Sequence, residues 1–207
     1  MPQVSDPKTH WEQVYSSKSS DSVSWFQKNP ATSLALISTC NPDATTRLID
    51  VGCGASQLVD QLLSRGLCSV SLLDVSATAL EIVRLRLGDK ATQVTFFNSD
   101  ITHWQPASRY DIWHDRAVLH FLVQDADRCA YLEQVKRALK SGGFLIIGSF
   151  ALDGPEKCSG LPVQRYSADS LSEFLGEEFV LLDDSREEHI TPAGRVQAFQ
   201  FCRFVRQ

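Results

Sequence analysis

Several patterns that would place this chain in particular classes of protein are absent from its sequence. The six cysteines, at positions 40, 53, 68, 129, 158 and 202, include no Cys-x-x-Cys pair, so no metal site is predicted. Lysine and arginine form no run and the formal net charge is −5, which argues against nucleic-acid binding. No apolar stretch approaches the ~18 residues of a membrane span, and the polar first twenty residues resemble no signal peptide. We therefore expect a cytoplasmic protein with no metal, nucleic acid or membrane as partner.

The chain alternates strand-like and helix-like patterns along most of its length. Apolar strand patterns lie near 47–51, 70–74, 93–98, 110–114 and 143–150, and helical patterns lie between them near 57–65, 77–88 and 127–139. Such alternation predicts a parallel sheet in an α/β protein. A short helix near 167–175 and strands near 178–183 and 197–205 follow, and a charged loop would join these strands as an antiparallel hairpin. With 43% hydrophobic residues, the chain is expected to form one domain over residues 1–207.

Three of the predicted strands lead into acidic residues. Asp50 precedes Gly52 and Gly54 at the end of the first strand, Asp74 closes the second, and Asp100 follows the third. Parallel strands bring their carboxyl ends to one edge of a sheet, where open α/β folds bind ligands. The glycines allow a sharp turn and a close approach of ligand to backbone, Asp74 could accept ribose hydroxyls, and Asp100 could accept an exocyclic amine such as that of adenine. The spacing predicts a nucleoside site.

These motifs resemble those of the class I S-adenosylmethionine-dependent methyltransferases, which have a Rossmann-like, doubly wound sheet of seven strands with an antiparallel C-terminal hairpin. The residues that carry the resemblance are Asp50, Gly52, Cys53, Gly54, Asp74, Val75, Asp100 and Ile101, with Ser56 where a third glycine often occurs, and the segment Arg137 to Gly143 before the fifth strand. The resemblance covers about residues 45–207. It implies S-adenosyl-L-methionine as the cofactor and S-adenosyl-L-homocysteine as the product.

A second, local resemblance lies at the N-terminus. The segment Trp11 to Tyr15 and the segment Trp25 to Gln27 resemble the aromatic entry segment of small methyltransferases related to the protein-lysine methyltransferase-like group. This resemblance implies that Tyr15 donates to the cofactor carboxylate and that Trp25 walls the methionine pocket. The alternative is that the aromatic residues anchor an N-terminal helix on the core. The domain would then comprise a helix and lid over 1–40, a cofactor-binding core over 45–150, and an acceptor loop with the C-terminal hairpin over 151–207.

Candidate catalytic residues follow the fourth predicted strand, whose end faces the methyl group in the family. His114 and Asp115 would line the reaction centre, and a neutral histidine such as His114 or His120 could accept a proton near pH 7. Each has a structural alternative: a backbone-only contact with the cofactor for His114, packing in the core for His120, and capping of the following helix for Asp115. Arg116 would contact an acidic substrate or form an ion pair.

The segment 153–166 follows the fifth predicted strand at the same edge of the sheet. Its glycines and prolines indicate a long loop, and long loops at a ligand edge are often functional. We expect this loop to cover the acceptor, with Cys158, Arg165 and Tyr166 as candidate substrate contacts. His189 is expected to face solvent in the final hairpin.

The sequence therefore predicts an enzyme that transfers a methyl group from S-adenosyl-L-methionine to a small-molecule or protein side-chain nucleophile. Protein lysine is one specific alternative, although the fourth strand end reads His-Asp-Arg-Ala rather than the Asp-Lys-Gly type of that group. A non-catalytic cofactor-binding or scaffold protein is another. A nicotinamide-dependent dehydrogenase is less favoured because Gln57 stands where a dinucleotide fingerprint has its third glycine.

Overall fold

The computed structural model describes residues 6–207. The α-helices are α1 (Pro7–Ser17), α2 (Ala31–Thr39), α3 (Leu58–Ser64), α4 (Ala77–Leu87), α5 (Asp125–Ala138) and α6 (Ala168–Leu175). The strands are β1 (Arg47–Val51), β2 (Ser69–Asp74), β3 (Val94–Asn98), β4 (Tyr110–Arg116), β5 (Leu139–Phe150), β6 (Lys157–Cys158), β7 (Leu161–Pro162), β8 (Phe179–Ile190) and β9 (Val196–Arg206). Short 3₁₀ helices span Gly88–Gln93 and Leu119–Phe121.

Seven strands form one sheet in the order β3-β2-β1-β4-β5-β9-β8. Strands β1 to β5 pair in parallel, whereas β9 lies antiparallel to both β5 and β8. The predicted fold class, a mostly parallel doubly wound sheet with an antiparallel C-terminal hairpin, is confirmed. Strands β6 and β7 form a separate small antiparallel pair.

The central strands are buried on both faces of the sheet. Leu48 and Ile49, neighbours in β1, are fully buried in two different apolar clusters, as expected when successive side chains of a strand point to opposite faces. Because helices cover both faces, these strands read as continuous apolar runs. The carboxyl ends of the parallel strands stay available at one edge.

The C-terminal hairpin is longer than the sequence predicted. The acidic segment 183–188, expected to be a loop, continues as strand in β8 and pairs with β9, where Arg203 and Gln200 bond Asp183 and Asp184 across the strands. The expectation that His189 faces solvent was wrong. His189 is buried, and its Nε2 donates to the carbonyl of Ser24 at 2.7 Å, so β8 holds the chain that follows α1.

None of the helices within residues 6–207 combines the length and the apolar character that crossing a membrane requires.

Candidate functional site

A cavity of about 470 Å³ lies at the carboxyl edge of the parallel strands. A smaller cavity of about 60 Å³ shares part of its wall, including Tyr15, Trp25, Gly52 and Arg116. Every residue that the sequence assigned to the cofactor lines one of the two. The larger cavity also has Trp11, Asp74, Val75, Asp100 and Ile101 in its wall, and the smaller one has Asp50, Cys53, Gly54 and His114.

The turn after β1 has room only for glycine. Gly52 and Gly54 have φ of +61° and +52°, values that residues with a Cβ rarely adopt. A Cβ on Gly52 would lie 1.9 Å from Cγ2 of Val118, and one on Gly54 would lie 2.3 Å from the hydroxyl of Tyr15. The backbone of the turn is thus packed directly against Val118 and Tyr15.

Asp74 is tied to this turn. Its Oδ2 accepts from the amide of Gly54 and its Oδ1 from the amide of Ser76, both at 2.8 Å. Burial raises the pKa of Asp74 to about 6, although the two backbone bonds favour the carboxylate. Each carboxylate oxygen can accept more than one hydrogen bond, so Asp74 retains capacity for a pair of hydroxyl donors from a ligand.

Asp100 lies farther along the same edge. Its Oδ1 accepts from the amide and hydroxyl of Thr102 at 2.8 and 2.7 Å, which fixes the carboxylate and leaves Oδ2 for a ligand. The apolar side chains of Val75 and Ile101 line the cavity beside it. This set offers apolar contact for a flat base and an acceptor for its amine.

Asp50 acts through His114 rather than towards the larger cavity. Nδ1 of His114 donates to Oδ1 of Asp50 at 2.7 Å, and Nε2 of His114 accepts from the hydroxyl of Ser33 at 2.9 Å. All three side chains are buried. Because both ring nitrogens already have partners, this arrangement braces the end of β4 and leaves His114 no nitrogen for a substrate proton.

The aromatic N-terminal helix covers the site and is anchored to it. Trp11 packs against Trp25 and Phe121 with ring centroids 5.5 and 5.0 Å apart, and Tyr15 is buried against the glycine turn. These aromatic residues therefore do both things that the sequence suggested as alternatives: they anchor the N-terminal helix on the core, and they line the cavity.

Glu12, which the sequence analysis gave no role, holds α1 on the start of α4. Its carboxylate accepts from the amides of Ala77 and Thr78 at 2.6 and 3.2 Å and from the hydroxyl of Ser76 at 3.1 Å. Burial raises its pKa, but the hydrogen bonds from Thr78 and Ala77 outweigh this and lower the pKa overall. An acidic residue near a helix N-terminus stabilises the helix. Because Glu12 lies on α1 and the helix it caps is α4, the sequence alone did not predict this contact.

Asp115 is occupied by structural contacts. Its oxygens accept from the amides of Val118 and Leu119 at 2.8 and 3.1 Å and from the hydroxyl of Tyr131 at 2.7 Å. The side chain is fully buried and lines neither of the two cavities. These contacts favour the cap, and a catalytic role for Asp115 stays a prediction.

His120 and Arg116 both line the larger cavity. Nδ1 of His120 accepts from the amide of Phe150 at 3.4 Å, so the proton of the neutral ring is on Nε2. Burial, with a smaller contribution from Arg116, lowers the pKa of His120 to about 3. His120 is therefore neutral at physiological pH and presents a donor.

The three candidate residues of the 153–166 segment separate in space. Cys158 lines the larger cavity. Arg165 instead donates to the carbonyl of Gly154 and pairs with Glu156, and Tyr166 is buried in the core beside Phe174. Neither of these two lines the cavity, so their substrate contacts remain predictions.

Other cavity-lining residues were missed from sequence. They are Phe121, Phe150, Leu161, Gln197 and Phe199. Phe199 and Gln197 lie on β9, where the alternation of buried residues marked a strand but not the face that meets a ligand. No motif in the sequence distinguishes these aromatic residues from ordinary core residues.

Comparisons with known proteins agree with this geometry. The methyltransferase domain family matches residues 48–143 of the chain, which include the glycine turn, Asp74 and Asp100. The tRNA U34 carboxymethyltransferase of Actinobacillus pleuropneumoniae is 27% identical over 123 residues, which are 58% of this chain and 37% of that protein. The mouse eEF1A lysine and N-terminal methyltransferase is 22% identical over 135 residues, 65% of this chain and 19% of that protein. The chain thus spans well under half the length of these relatives.

Solved structures share the fold over almost the whole chain. The structure described as "Conversion of a Disulfide Bond into a Thioacetal Group during Echinomycin Biosynthesis" has a TM-score of 0.78 at 19% identity and covers 97% of this chain and 93% of its own. The N-methyltransferase NodS from Bradyrhizobium japonicum, in complex with S-adenosyl-L-homocysteine, has a TM-score of 0.71 at 16% identity and covers 95% and 98%.

Proposed function

This chain belongs to the class I S-adenosylmethionine-dependent methyltransferases, and we propose that it transfers a methyl group to a nucleophile on a small molecule. The observation that carries the proposal is one continuous cavity. At one end it has the buried Asp74 and the partly exposed Asp100, and at the other the aromatic side chains Phe121, Phe150 and Phe199. A methyl donor at the acidic end would direct its reactive group into the part of the cavity that these aromatic side chains line.

The residues present fit S-adenosyl-L-methionine. Asp74 would accept the ribose hydroxyls and Asp100 the adenine amine, with Val75 and Ile101 against the base, while the glycine turn would receive the methionine portion. The positive φ of the turn and the missing space for a Cβ suit a ligand lying on bare backbone. The bound cofactor would supply an electrophilic methyl group on a sulfonium, so the protein need not activate a leaving group.

The residues of this chain would act by positioning and by excluding water. In-line methyl transfer demands an aligned and dehydrated nucleophile. His114 uses both ring nitrogens, Asp115 accepts hydrogen bonds at both carboxylate oxygens, and His120 carries its proton on Nε2. None of the three therefore offers a proton acceptor to the cavity. We infer that the acceptor reacts through a group that is already a free base or an anion near pH 7.

A protein side chain is the second candidate acceptor. The similarity to the eEF1A lysine and N-terminal methyltransferase over 65% of the chain favours it. Against it, α1 and the β6–β7 pair contribute Trp11, Cys158 and Leu161 to the wall of this cavity, which favours a small molecule as the acceptor. The named substrate of the other relatives is tRNA, but this chain has a formal net charge of −5 and no basic run, which disfavours nucleic acid.

We further propose that residues 1–207 act as a single methyltransferase domain in the cytoplasm. In this proposal 1–40 close the site, 45–150 hold the cofactor, and 151–207 complete the acceptor side. All six cysteines are free thiols, which suits a reducing compartment.

The proposal is tested by supplying methyl-labelled S-adenosyl-L-methionine to the protein with three separate pools of acceptors: small molecules, proteins and RNA from the source cells. Label in the small-molecule pool is expected, and it should vanish with Asp74→Ala. Label in protein would favour the second candidate. Label in RNA alone would overturn both, and cofactor binding without transfer to any pool would indicate a non-catalytic binder.

A further inference from the structure

The half of the larger cavity away from Asp74 and Asp100 has polar atoms in its walls that lack partners. Within residues 6–207, seven buried side-chain nitrogen or oxygen atoms make no hydrogen bond, and four of them belong to Arg116, His120 and Gln197. These three residues come from β4, the second 3₁₀ helix and β9, and all line this cavity. Buried polar groups without partners are costly and are rare in folded proteins, so their convergence on one cavity points to a ligand.

Arg116 is held in a fixed position by three neighbours. Its Nη1 donates to the carbonyl of Trp25 at 3.2 Å, and its guanidinium lies 4.5 Å from the ring centroid of Phe199. Glu187 lies 3.7 Å from Nη2, beyond hydrogen-bond distance, and is itself engaged by the side-chain amide of Gln27 at 2.8 Å. These contacts orient the guanidinium.

The atoms of Arg116 that make no hydrogen bond are Nε and Nη2, and Nη2 is within ion-pair distance of Glu187. Their N–H groups lie on the same edge of the planar guanidinium and form a fork that matches the two oxygens of a carboxylate. A lysine at this position could place the same charge but could not make the two parallel bonds. The Nε–Nη2 edge of Arg116, which makes no hydrogen bond, therefore suits a planar anion.

His120 adds a third donor from another side of the cavity wall. Its Nδ1 accepts from the amide of Phe150, so Nε2 carries the proton, and Nε2 is the atom without a partner. The only unpartnered acceptor among the three residues is Oε1 of Gln197. Among these three residues the donors outnumber the acceptors, and one donor is the guanidinium cation, whose ion-pair partner Glu187 lies 3.7 Å away.

The acidic residues that line the cavity do not oppose this preference. Asp74 and Asp100 lie on the nucleoside side, whereas Asp6 and Asp127 are exposed residues at the rim. The remaining wall of this half is aromatic or apolar, with Phe121, Phe150, Phe199 and Leu161. A flat apolar molecule with one anionic group would match both the hydrogen-bond donors and the aromatic wall of this half of the cavity.

We propose that the methyl acceptor is a flat, largely apolar molecule with a carboxylate or an equivalent planar anionic group, bound by the Nε–Nη2 edge of Arg116 and by the Nε2–H of His120. This inference rests on the proposed function, because it names the acceptor class of the same site. Arg116 and His120 are substrate-binding residues in this proposal, and neither removes a proton.

Three probes with one ring system test it: 2-naphthoate, 2-naphthamide and 2-naphthylmethylamine. Their binding is measured by titration calorimetry and by ligand-observed NMR, to the protein alone and to its complex with S-adenosyl-L-homocysteine. We expect 2-naphthoate to bind at least about tenfold more tightly than the amide, which corresponds to about 1.4 kcal/mol, and the amine to bind most weakly.

Variants assign the effect to the two residues. Arg116→Gln should remove the preference for 2-naphthoate over the amide and leave the affinity for S-adenosyl-L-homocysteine unchanged. Arg116→Lys, which keeps the charge, should recover only part of the preference, and His120→Phe should weaken 2-naphthoate alone. Arg186→Gln is the matched control, because Arg186 is bonded to Asp153 on the exposed face of the hairpin and should bind all probes like the wild type.

Several results would overturn the proposal. One is equal binding of the acid and the amide, and another is strongest binding of the amine. A loss of S-adenosyl-L-homocysteine binding in folded Arg116→Gln would assign Arg116 to the cofactor instead. If the wild type fails to bind S-adenosyl-L-homocysteine, the proposed function fails, whereas the probe series on the protein alone still decides whether the anionic subsite exists.

Discussion

The backbone amide of Gly54 donates to Oδ2 of Asp74 at 2.8 Å. This bond joins the turn after β1 to the acidic end of β2, two features that are 20 residues apart in sequence. The turn that would receive the methionine portion of the cofactor and the acid that would bind its ribose are therefore one unit. A change in either should therefore affect the other.

Cofactor affinity should fall as the pH falls through about 6. Burial raises the pKa of Asp74 to about 6, so above this pH the side chain is a carboxylate that can accept from both ribose hydroxyls. Below it the protonated side chain loses part of that capacity, and each further pH unit should weaken binding up to about tenfold. Calorimetric titration with S-adenosyl-L-homocysteine between pH 5 and 8 measures the effect. Asp74→Asn should bind weakly with a flat profile, and an equally steep profile in this variant would assign the titration to another group.

Gly54→Ala should impair cofactor binding more than it impairs folding. The new Cβ would lie 2.3 Å from the hydroxyl of Tyr15, and positive φ adds a backbone cost of about 1–3 kcal/mol. Gly142→Ala is the matched control, since Gly142 also has positive φ, +76°, but nothing lies within 4 Å of its Cβ position. Adding Tyr15→Phe to Gly54→Ala should restore part of the stability lost in Gly54→Ala, because the clashing oxygen is removed. Failure of this double variant to improve on Gly54→Ala would show that the clash is not the cause.

Glu12→Ala should release α1 from the start of α4. The carboxylate accepts from the amides of Ala77 and Thr78, and the loss of such capping bonds costs about 0.5–2 kcal/mol. Urea unfolding should show that loss, and cofactor dissociation should become faster because α1 carries Trp11 and Tyr15 over the cavity. Gln13→Ala, an exposed change on the same helix, serves as the control. Unchanged dissociation in Glu12→Ala would mean that α1 does not close the site.

Asp115→Asn distinguishes the cap from a catalytic role. The buried carboxylate accepts from two amides and from the hydroxyl of Tyr131, and leaving a buried partner unsatisfied costs about 1–3 kcal/mol. We expect denaturant unfolding to reveal this loss of stability, with cofactor affinity of the folded protein retained. Asp127→Asn, at an exposed position on the cavity rim, should keep normal stability. A variant at Asp115 that is as stable as the wild type but transfers no methyl group would favour catalysis.

The residues predicted to bind the cofactor come together at one edge of the sheet because their sequence signals are local. Gly52, Gly54, Asp74 and Asp100 each follow a strand pattern, and parallel pairing alone brings strand ends to one edge. The fold class follows from the same alternation of strands and helices. The period of the apolar residues predicted the strands and helices, and the positions of the acidic residues predicted the ligand edge of the sheet.

The acceptor side depends on contacts between distant segments. Phe199 and Gln197 face the cavity only because β9 inserts between β5 and β8, and Glu12 finds its partners on another helix. His189 was misplaced for the same reason: an acidic stretch looks solvated in sequence, but β8 continues through it, and Ser24 supplies the bond that buries the ring. Pairing of this kind leaves no local pattern.

Thermal unfolding with S-adenosyl-L-methionine, S-adenosyl-L-homocysteine or NAD tests whether the acidic edge of the sheet binds a methyl-donor nucleoside. A ligand at about 100 times its dissociation constant stabilises the native state by about 2.7 kcal/mol. We predict an upward shift with the two methyl-cycle ligands, none with NAD, and no shift for folded Asp74→Ala. No shift with either methyl-cycle ligand, or a shift with NAD alone, would contradict the account.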